Sequence, residues 1–457
     1  MTEPLPVGFR VVLDPSTVVL PSGDLFGGDP RRIVKLTEAG REVLASLGAG
    51  PVRSRLAGVL ARRLVTAGVA HPRPPASSPI DVAVVIPVKD RAAELNLCLA
   101  ALDGLRVVVV DDGSTSPAAV ASVVAAHGAT LVRRPRSGGP AAARNTGLAE
   151  VGDAAFVAFL DSDCIAPPGW LSRLGAHFAD PLVGAVAPRI VPLPSGGPSL
   201  RAYALVRSPL DLGPQEALVR PGSRVSYVPT AALVVRRSAL ASFDERLRYG
   251  EDVDAVWRLV DAGWQVRYDP AVEVVHAEPG TWSAYLRRRF HYGTSAGPLA
   301  VRHPGRLAPM VWQPWPAAVA ALLLARRPVP AVAAGAVSSV RLARRLADAG
   351  APPGMAPVLT VQAVGATLRG LGRATTQLAL PLALAAGLTG RRRLAVVAAL
   401  VAGPALEEWW RLRPGIDPVR WTLASVADDA AYGAGVWRGA VRARTAAPLL
   451  PRRGATQ

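Results

Sequence analysis

Four short segments place carboxylates in a fixed order along the chain: Val84-Val85-Ile86-Pro87-Val88-Lys89-Asp90-Arg91, Asp111-Asp112-Gly113-Ser114, Asp161-Ser162-Asp163 and Gly250-Glu251-Asp252. Each of the first three begins or ends at an apolar run of strand length. Val107 to Val110 leads into Asp111, and Phe156 to Leu160 leads into Asp161. Acidic residues at the carboxyl ends of parallel strands stand where open α/β sheets bind ligands. A D-x-D pair offers oxygen ligands to a hard divalent cation, which can in turn hold a diphosphate. In extended backbone the side chains of Asp161 and Asp163 face the same way. A third carboxylate on a later helix start, Asp252, is then available as a general base. Each segment alone also reads as an ordinary acidic turn or helix cap. Four in this order, within one domain's length, point to chemistry on a diphosphate-activated donor.

The neighbouring residues fit that chemistry, each with a plainer alternative. Strand Val82–Pro87 closes on a proline, which leaves the backbone after it free to meet a base. Asp112 either accepts a hydrogen bond from the N–H of uracil or caps a helix together with Ser114. Gly138 and Gly139 permit close approach of backbone to a phosphate. Arg144 either supports the acidic turn and a diphosphate or forms an interior ion pair with Asp161. His276 closes the apolar run Val272–Val275, 24 residues after Asp252. It is either a metal ligand or a structural strand-end histidine. The first turn of a helix stabilises a carboxylate through its dipole and free N–H groups. Asp252 is therefore expected to be ionised, as a base must be; the alternative is a helix cap without chemistry. Trp170, Tyr227, Trp264 and Trp282 read either as sugar-stacking rings or as core. Arg287-Arg288-Arg289 reads either as a diphosphate contact or as a solvated or membrane-facing run.

The elements that must position these residues alternate strand and helix: Val82–Pro87, Ala92–Leu102, Val107–Val110, Pro117–Ala126, Leu131–Arg133, Pro140–Glu150 and Ala154–Leu160. Such alternation predicts an α/β fold with a mostly parallel sheet and helices on both faces. No Gly-x-Gly-x-x-Gly follows any of these strands, which argues against a dinucleotide site. Upstream, residues 1–72 read as a small winged-helix-like unit. It has loose strands between Phe9 and Leu20, a helix capped by Thr37, and a second helix, Arg53 to Ala67, ending at Gly68. This unit resembles peptide-recognising domains of peptide-modifying pathways, with a plain packing extension as the alternative. Its basic second helix offers no cluster of base-reading side chains. Residues 73–80 form a Pro-rich, semi-rigid linker, residues 81–303 the catalytic domain, and 304–457 an Ala/Arg-rich helical region.

Among the 457 residues, Lys35 and Lys89 are the only lysines, and the net charge is +18. From Pro304 onward 19 arginines face six acidic residues, so the positive excess is concentrated in the last third. Arginine mixed with apolar runs suggests an anionic membrane surface before nucleic acid, and no interleaved aromatic and basic platform is present. The runs Ala317–Ala325, Leu378–Leu388 and Leu394–Leu406 fall short of the roughly 20 residues a spanning helix needs. Surface-lying helices and an ordinary helical core explain them equally well. The two cysteines, Cys98 and Cys164, have no metal-ligand spacing and suit a reducing compartment. Met1 to Arg10 lacks the charged and apolar pattern of a signal peptide. A cytoplasmic protein at the inner face of the cell membrane is expected.

From about Ile80 to His303 the chain resembles the inverting GT-A glycosyltransferases of family 2. The segment Arg136-Ser137-Gly138-Gly139-Pro140-Ala141-Ala142-Ala143-Arg144-Asn145-Thr146-Gly147 is similar to the family's Gly-x-x-x-Ala-Arg-Asn-x-Gly. The N-terminal extension and Arg287-Arg288-Arg289-Phe290-His291-Tyr292-Gly293-Thr294-Ser295-Ala296 resemble the subgroup of the mycofactocin system. The resemblance implies a UDP-sugar donor bound by Pro87, Val88, Asp90, Asp112, Gly139, Arg144, Asp161, Ser162 and Glu251. It implies Mn2+ or Mg2+ on Asp163, with Asp161 on ribose or metal and His276 as a further metal ligand. Asp252 matches the base that deprotonates the acceptor hydroxyl for displacement with inversion. The subgroup implies UDP-glucose as donor and a peptide-derived small-molecule acceptor extended as a β-linked oligoglucose, with a pathway peptide or protein at the N-terminal unit.

Two rival readings stay open at the level of sequence. One is a membrane-associated transferase making a glycolipid or cell-wall polysaccharide, against which the absent Gln-x-x-Arg-Trp motif counts. The other is a peptide-binding scaffold with an inactive transferase domain, against which the four intact aspartates count.

Overall fold

The computed structural model describes residues 3–75 and 80–454, so residues 76–79 of the expected linker lie outside the described residues. The chain forms two compact units. The first comprises the chain up to Val19, Gly23–Leu193 and Arg207–Glu278; the second comprises Leu20–Ser22, Pro194–Val206 and the chain from Pro279 onward.

The N-terminal part of the first unit contains β1 (Arg10–Leu13), β2 (Val18–Val19), β3 (Leu25–Gly27), β4 (Arg32–Val34), α1 (Glu38–Ala49), α2 (Arg55–Ala67) and β5 (Ala70–Arg73). β1 pairs antiparallel with β5, and β2, β3 and β4 form a small antiparallel sheet. The helices start where the sequence supplies caps: Thr37 Oγ1 accepts from the Gly40 N–H at 3.1 Å, and Ser54 Oγ from the Ala57 N–H at 3.2 Å. Gly68, at φ 74°, ends α2 in the left-handed conformation. Arg62 on α2 is fully buried and donates both terminal nitrogens to Asp180, each at 2.7 Å. That fork fastens these elements to the rest of the unit.

The central sheet contains β6 (Val82–Val88), β7 (Arg106–Asp112), β8 (Thr130–Arg134), β9 (Phe156–Leu160), β10 (Cys164–Ile165), β11 (Val183–Leu193), β12 (Ala217–Leu218), β13 (Ala232–Arg236) and β14 (Gln265–Ala277). Their order is β10-β14-β11-β13-β9-β6-β7-β8, with β12 also on β14. The run β8-β7-β6-β9 is parallel; β13 is antiparallel to both its neighbours, and β11 runs parallel to β14. The expected α/β layout is present. Helices α3 (Ala92–Ala100), α4 (Pro117–Ala126) and α5 (Pro140–Glu150) connect the parallel strands; α6 (Trp170–Gly175), α7 (Pro198–Arg207) and α8 (Glu251–Asp261) follow. Val84, Val85 and Ile86 are wholly buried, because helices cover both faces of a parallel sheet and strands there read as unbroken apolar runs. α5 lies unusually close to the sheet: a Cβ at Gly147 would stand 2.3 Å from Val85 Cγ1. Boundaries differ from expectation by a residue or two. β6 continues past Pro87 to pair Val88 with Asp111, and the turn Ala154-Ala155 precedes β9 rather than belonging to it.

The second unit is helical: α9 (Trp282–Thr294), α10 (Ala296–Arg302), α11 (Pro314–Leu324), α12 (Pro328–Ala347), α13 (Met355–Leu378), α14 (Leu380–Leu388), α15 (Arg391–Leu412) and α16 (Pro418–Arg442). Its core gathers Tyr203, Tyr285 and Ala405 around Trp421, whose indole N–H donates to the Ala405 carbonyl at 2.8 Å. α10 packs on α16 backbone to backbone: a Cβ on Gly297 would lie 2.0 Å from the Gly439 carbonyl oxygen. Among the described residues no helix is long and apolar enough to cross a membrane.

Candidate active site

The carboxyl ends of β6, β7 and β9 deliver three of the acidic segments to one edge of the parallel sheet. The loops after β6 and β7 are laced together. Asp90, in the left-handed region at φ 56°, donates its N–H to Ser114 Oγ at 2.9 Å. Its carboxylate accepts from the Thr115 N–H at 2.6 Å and hydroxyl at 2.8 Å. These two bonds hold the Asp90 carboxyl below the usual carboxylate range. A left-handed aspartate costs backbone energy that its surroundings must offset; here the offset is the bonds to Ser114 and Thr115. Asp111 is buried and accepts from the Ser114 N–H at 2.9 Å and from Arg133 at 2.5 Å.

Asp112 is engaged by four donors, and Ser114 is not among them. One oxygen accepts from Arg134 Nε and the Gly138 N–H, both at 2.9 Å; the other accepts from Ser137 Oγ and the Gly139 N–H, both at 2.8 Å. Four donors take up the roughly four lone-pair directions a carboxylate offers. Asp112 thus shapes the Gly138-Gly139 turn rather than capping with Ser114. Gly139, at φ 90°, then opens α5, a backbone angle that favours glycine.

Arg144 on α5 is buried and reaches two segments at once. Nη2 donates to Asp161 Oδ1 at 2.7 Å and Nη1 to Glu251 Oε1 at 2.8 Å, while the guanidinium stands 5.8 Å from the Phe243 ring centroid. Burial opposes its charge, but Asp161 and Glu251 outweigh burial and raise its pKa. Nε has no hydrogen-bond partner. Arg144 therefore joins the D-x-D turn to the start of α8 directly.

Ser162 is buried within that turn. Asp163 forms an ion pair with Arg91 and places Oδ1 3.6 Å from His276 Nε2. β10 and β14 bring these two together, with Cys164 opposite His276 in register. His276 is buried, its Nδ1 lies 3.7 Å from Glu278 and lacks a hydrogen bond. No group of three or more His, Cys, Asp or Glu side chains among the described residues stands ready around a metal. The residues nonetheless fit one. A buried imidazole whose Nε2 lies 3.6 Å from the Asp163 carboxylate, with a second carboxylate two residues before Asp163, is an oxygen-rich donor set whose chemistry suits Mn2+ or Mg2+. Asp163 and His276 would be its donors, whereas Asp161 is engaged by Arg144. Arg91 supplies the positive partner of Asp163; it lies in the first motif, and no spacing rule would have singled it out.

Gly250, left-handed at φ 82°, starts α8 and brings Glu251 and Asp252 into its first turn. Asp252 is half-buried and accepts from the Val253 N–H at 2.8 Å. The expectation that the helix start keeps Asp252 fully ionised does not hold. Burial, and then the charge of Glu251, push its carboxyl up to about 7. Glu251 is also raised, by burial first, with Arg144 opposing.

Of the aromatic candidates, Trp170 is core at 2% exposure, and Trp264 packs against Gly184. Tyr227 is half-buried in the first unit. In the helical unit the Trp282 ring meets Tyr203 in a tilted contact at 5.4 Å, and Arg289 pairs with Asp428 and stands 5.0 Å from the Tyr432 ring centroid. Pairing with Asp428 rather than solvation occupies that member of the basic run. Cys98 and Cys164 are buried and free. Burial, then the nearby Asp163 and Asp161, push Cys98 up to about 12, so neither sequence nor setting makes it a nucleophile.

Comparison with known proteins identifies the family. Residues 83–242 match the model described as glycosyl transferase family 2. The chain is 43% identical to "Pre-mycofactocin glycosyltransferase" of Mycobacterium tuberculosis, covering 98% of both chains. It is 28% identical to "Glycosyltransferase AglE" of Haloferax volcanii over 46% of this chain and 71% of that one. A crystal structure of S. aureus TarS aligns with a TM-score of 0.38 and 13% identity, over 79% of this chain and 91% of that one. An ordered acidic edge, a helix carrying Glu251 and Asp252 tied to it through Arg144, and identity along nearly the whole length lead to one conclusion: the chain belongs to glycosyl transferase family 2 and is a glycosyltransferase close to the pre-mycofactocin enzyme.

Proposed function

We propose that the protein transfers glucose from UDP-glucose to a peptide-derived precursor in mycofactocin biosynthesis, with inversion, building a β-linked oligoglucose. The observation that carries the reading is the Arg144 bridge, which ties the donor-side Asp161 to the α8 turn bearing Asp252. In this reading Pro87, Val88, Asp90, Asp112 and Gly139 shape the nucleotide site, with Asp112 acting through the turn it holds. Asp163 and His276 hold a divalent cation, with Asp161 nearby. The cation, when bound, offsets charge on the diphosphate leaving group. Asp252 takes the proton of the acceptor hydroxyl as that oxygen bonds to the anomeric carbon and the UDP oxygen departs. With a pKa near 7, Asp252 combines a substantial ionised fraction with useful basicity. A panel of UDP-sugars offered with the acceptor and either Mn2+ or EDTA tests the reading. Transfer from UDP-glucose with Mn2+ alone supports it; transfer that ignores chelation overturns the metal assignment.

The N-terminal elements are proposed to recognise a peptide or protein of the same pathway. Because Arg62 forms a buried ion pair with Asp180, deleting residues 1–75 would leave Asp180 without that partner, so the deletion needs Asp180→Asn beside it. Loss of acceptor transfer with surviving UDP-sugar hydrolysis supports recognition, and normal transfer reduces the unit to packing.

The helical unit is proposed to rest on an anionic membrane surface. Val329, Leu382 and Leu388 are 79%, 75% and 85% exposed, close in sequence to Arg326-Arg327 and Arg391-Arg392-Arg393. Each basic residue near such a surface contributes roughly 1 kcal/mol, screened by salt. Flotation with anionic vesicles at low salt and release at high salt are expected; no flotation overturns this part.

A further inference from the structure

A cavity of about 580 Å³ lies within the first unit, away from the transfer site. Its walls come from the turns after β1 and β3, the end of α2, β5, and the segment around β12; none of the transfer-site residues lines it. A volume of this size suits a small organic ligand.

The polar groups of the wall are unbalanced in one direction. Every lining carboxylate already has donors. Asp14 accepts from the Ser16 N–H at 2.8 Å and pairs with His71 at 2.7 Å. Glu216 accepts from Arg73 at 2.5 Å and Arg267 at 2.8 Å. Asp29 accepts from the Arg224 backbone N–H. Donors, by contrast, are left over. The half-buried Arg220 guanidinium lines the cavity and makes no hydrogen bond among the described residues, with Asp29 of the same wall attracting it from a distance. The buried Thr66 hydroxyl, also on the wall, has no partner. Behind the wall, Arg267 is fully buried and bonded to Glu216, with Nε and Nη1 unsatisfied. Burial, then repulsion from Arg32 and Arg267, pulls the Arg220 pKa below the usual arginine value, with Asp29 opposing. The buried donors of Thr66 and Arg267 are costly without acceptors, and the half-buried Arg220 guanidinium presents a fork matched to carboxylate or phosphate oxygens.

We propose that this cavity binds a small anionic ligand through a carboxylate or phosphate group, held by Arg220 and Thr66 and backed by the charge of Arg267. The ligand supplies acceptors where the wall has spare donors. The site is distinct from the sugar-transfer site and would regulate the enzyme or position an anionic part of a substrate.

The test uses the full chain and calorimetric titration with citrate in one arm and inorganic phosphate in the other. At least one probe should bind one per chain, and the arm that binds identifies the group. Arg220→Gln should weaken that binding about tenfold or more, since it removes a charge-assisted fork. UDP binding should stay unchanged in that variant. If Arg220→Gln does not fold, Thr66→Val decides, with about a threefold or larger loss supporting the site. No binding of either probe, or binding unchanged in the folded variants, overturns the proposal.

Discussion

Arg144 and Glu251 are joined by a 2.8 Å hydrogen bond across 107 residues of sequence, with the other arm of the same guanidinium on Asp161. One side chain thus sets the spacing between the acidic turn and the helix that carries Asp252. Replacing Arg144 with Met leaves Glu251 buried and unpaired, which should cost about 3–5 kcal/mol of stability and abolish transfer. Arg144→Lys keeps the charge but not the fork, so it should recover more stability than activity. Denaturant unfolding and initial rates read both quantities. A Met variant within about 1 kcal/mol of wild type would remove Arg144 from this role.

The raised Asp252 carboxyl fixes a pH dependence. The base role proposed for Asp252 requires the ionised form, so kcat/KM should fall about tenfold per pH unit below about 7 and level off above it. Glu251→Gln removes the neighbouring negative charge and should move this limb to lower pH. Stability runs the other way. A carboxyl raised from its ordinary 3.8 contributes its full stability below that value and loses it as pH rises through about 7. Asp252→Asn should therefore raise Tm at pH 8 but not at pH 3. An acid limb that ignores Glu251→Gln would contradict the electrostatic account.

Asp163 has Arg91 on one side and His276 on the other. A divalent cation on Asp163 must displace or share the Arg91 pairing. Arg91→Ala should then tighten Mn2+ binding in the absence of nucleotide, while Asp163→Ala should abolish metal-dependent UDP binding. His276→Ala should weaken Mn2+ more than Mg2+, because imidazole suits the later transition metal better. Calorimetry with each cation checks all three; equal UDP affinity with and without metal would discard the site.

The sheet and its acidic edge were legible because parallel strands are buried on both faces and so write themselves as apolar runs ending in Asp111 and Asp161. Helix α5 was read to the residue, since Gly139-Pro140 gives its start plainly. Helices α12, α13 and α16 were not legible: alanine, arginine and valine are mixed through them without a clean apolar stripe, and apolar runs alone mark only pieces of them. At the site, the family resemblance offered both Asp163 and His276 as metal ligands but could not show that Arg91 holds Asp163 or that Asp112 is enclosed by Arg134 and the Gly138-Gly139 turn. Those contacts join residues whose spacing follows no motif. The ionisation of Asp252 was misjudged because the favourable helix start is visible in sequence, whereas its burial beside Glu251 is a property of the fold.

The central claim is that Asp252 removes the acceptor proton. Single-turnover transfer by Asp252→Asn, with UDP-sugar affinity measured on the same preparation, tests it most directly. Asn preserves shape and leaves the Arg144 bridge in place, so donor binding should match wild type while transfer falls about 10²–10⁴-fold. Transfer within a few-fold of wild type, with donor binding intact, would contradict the assignment.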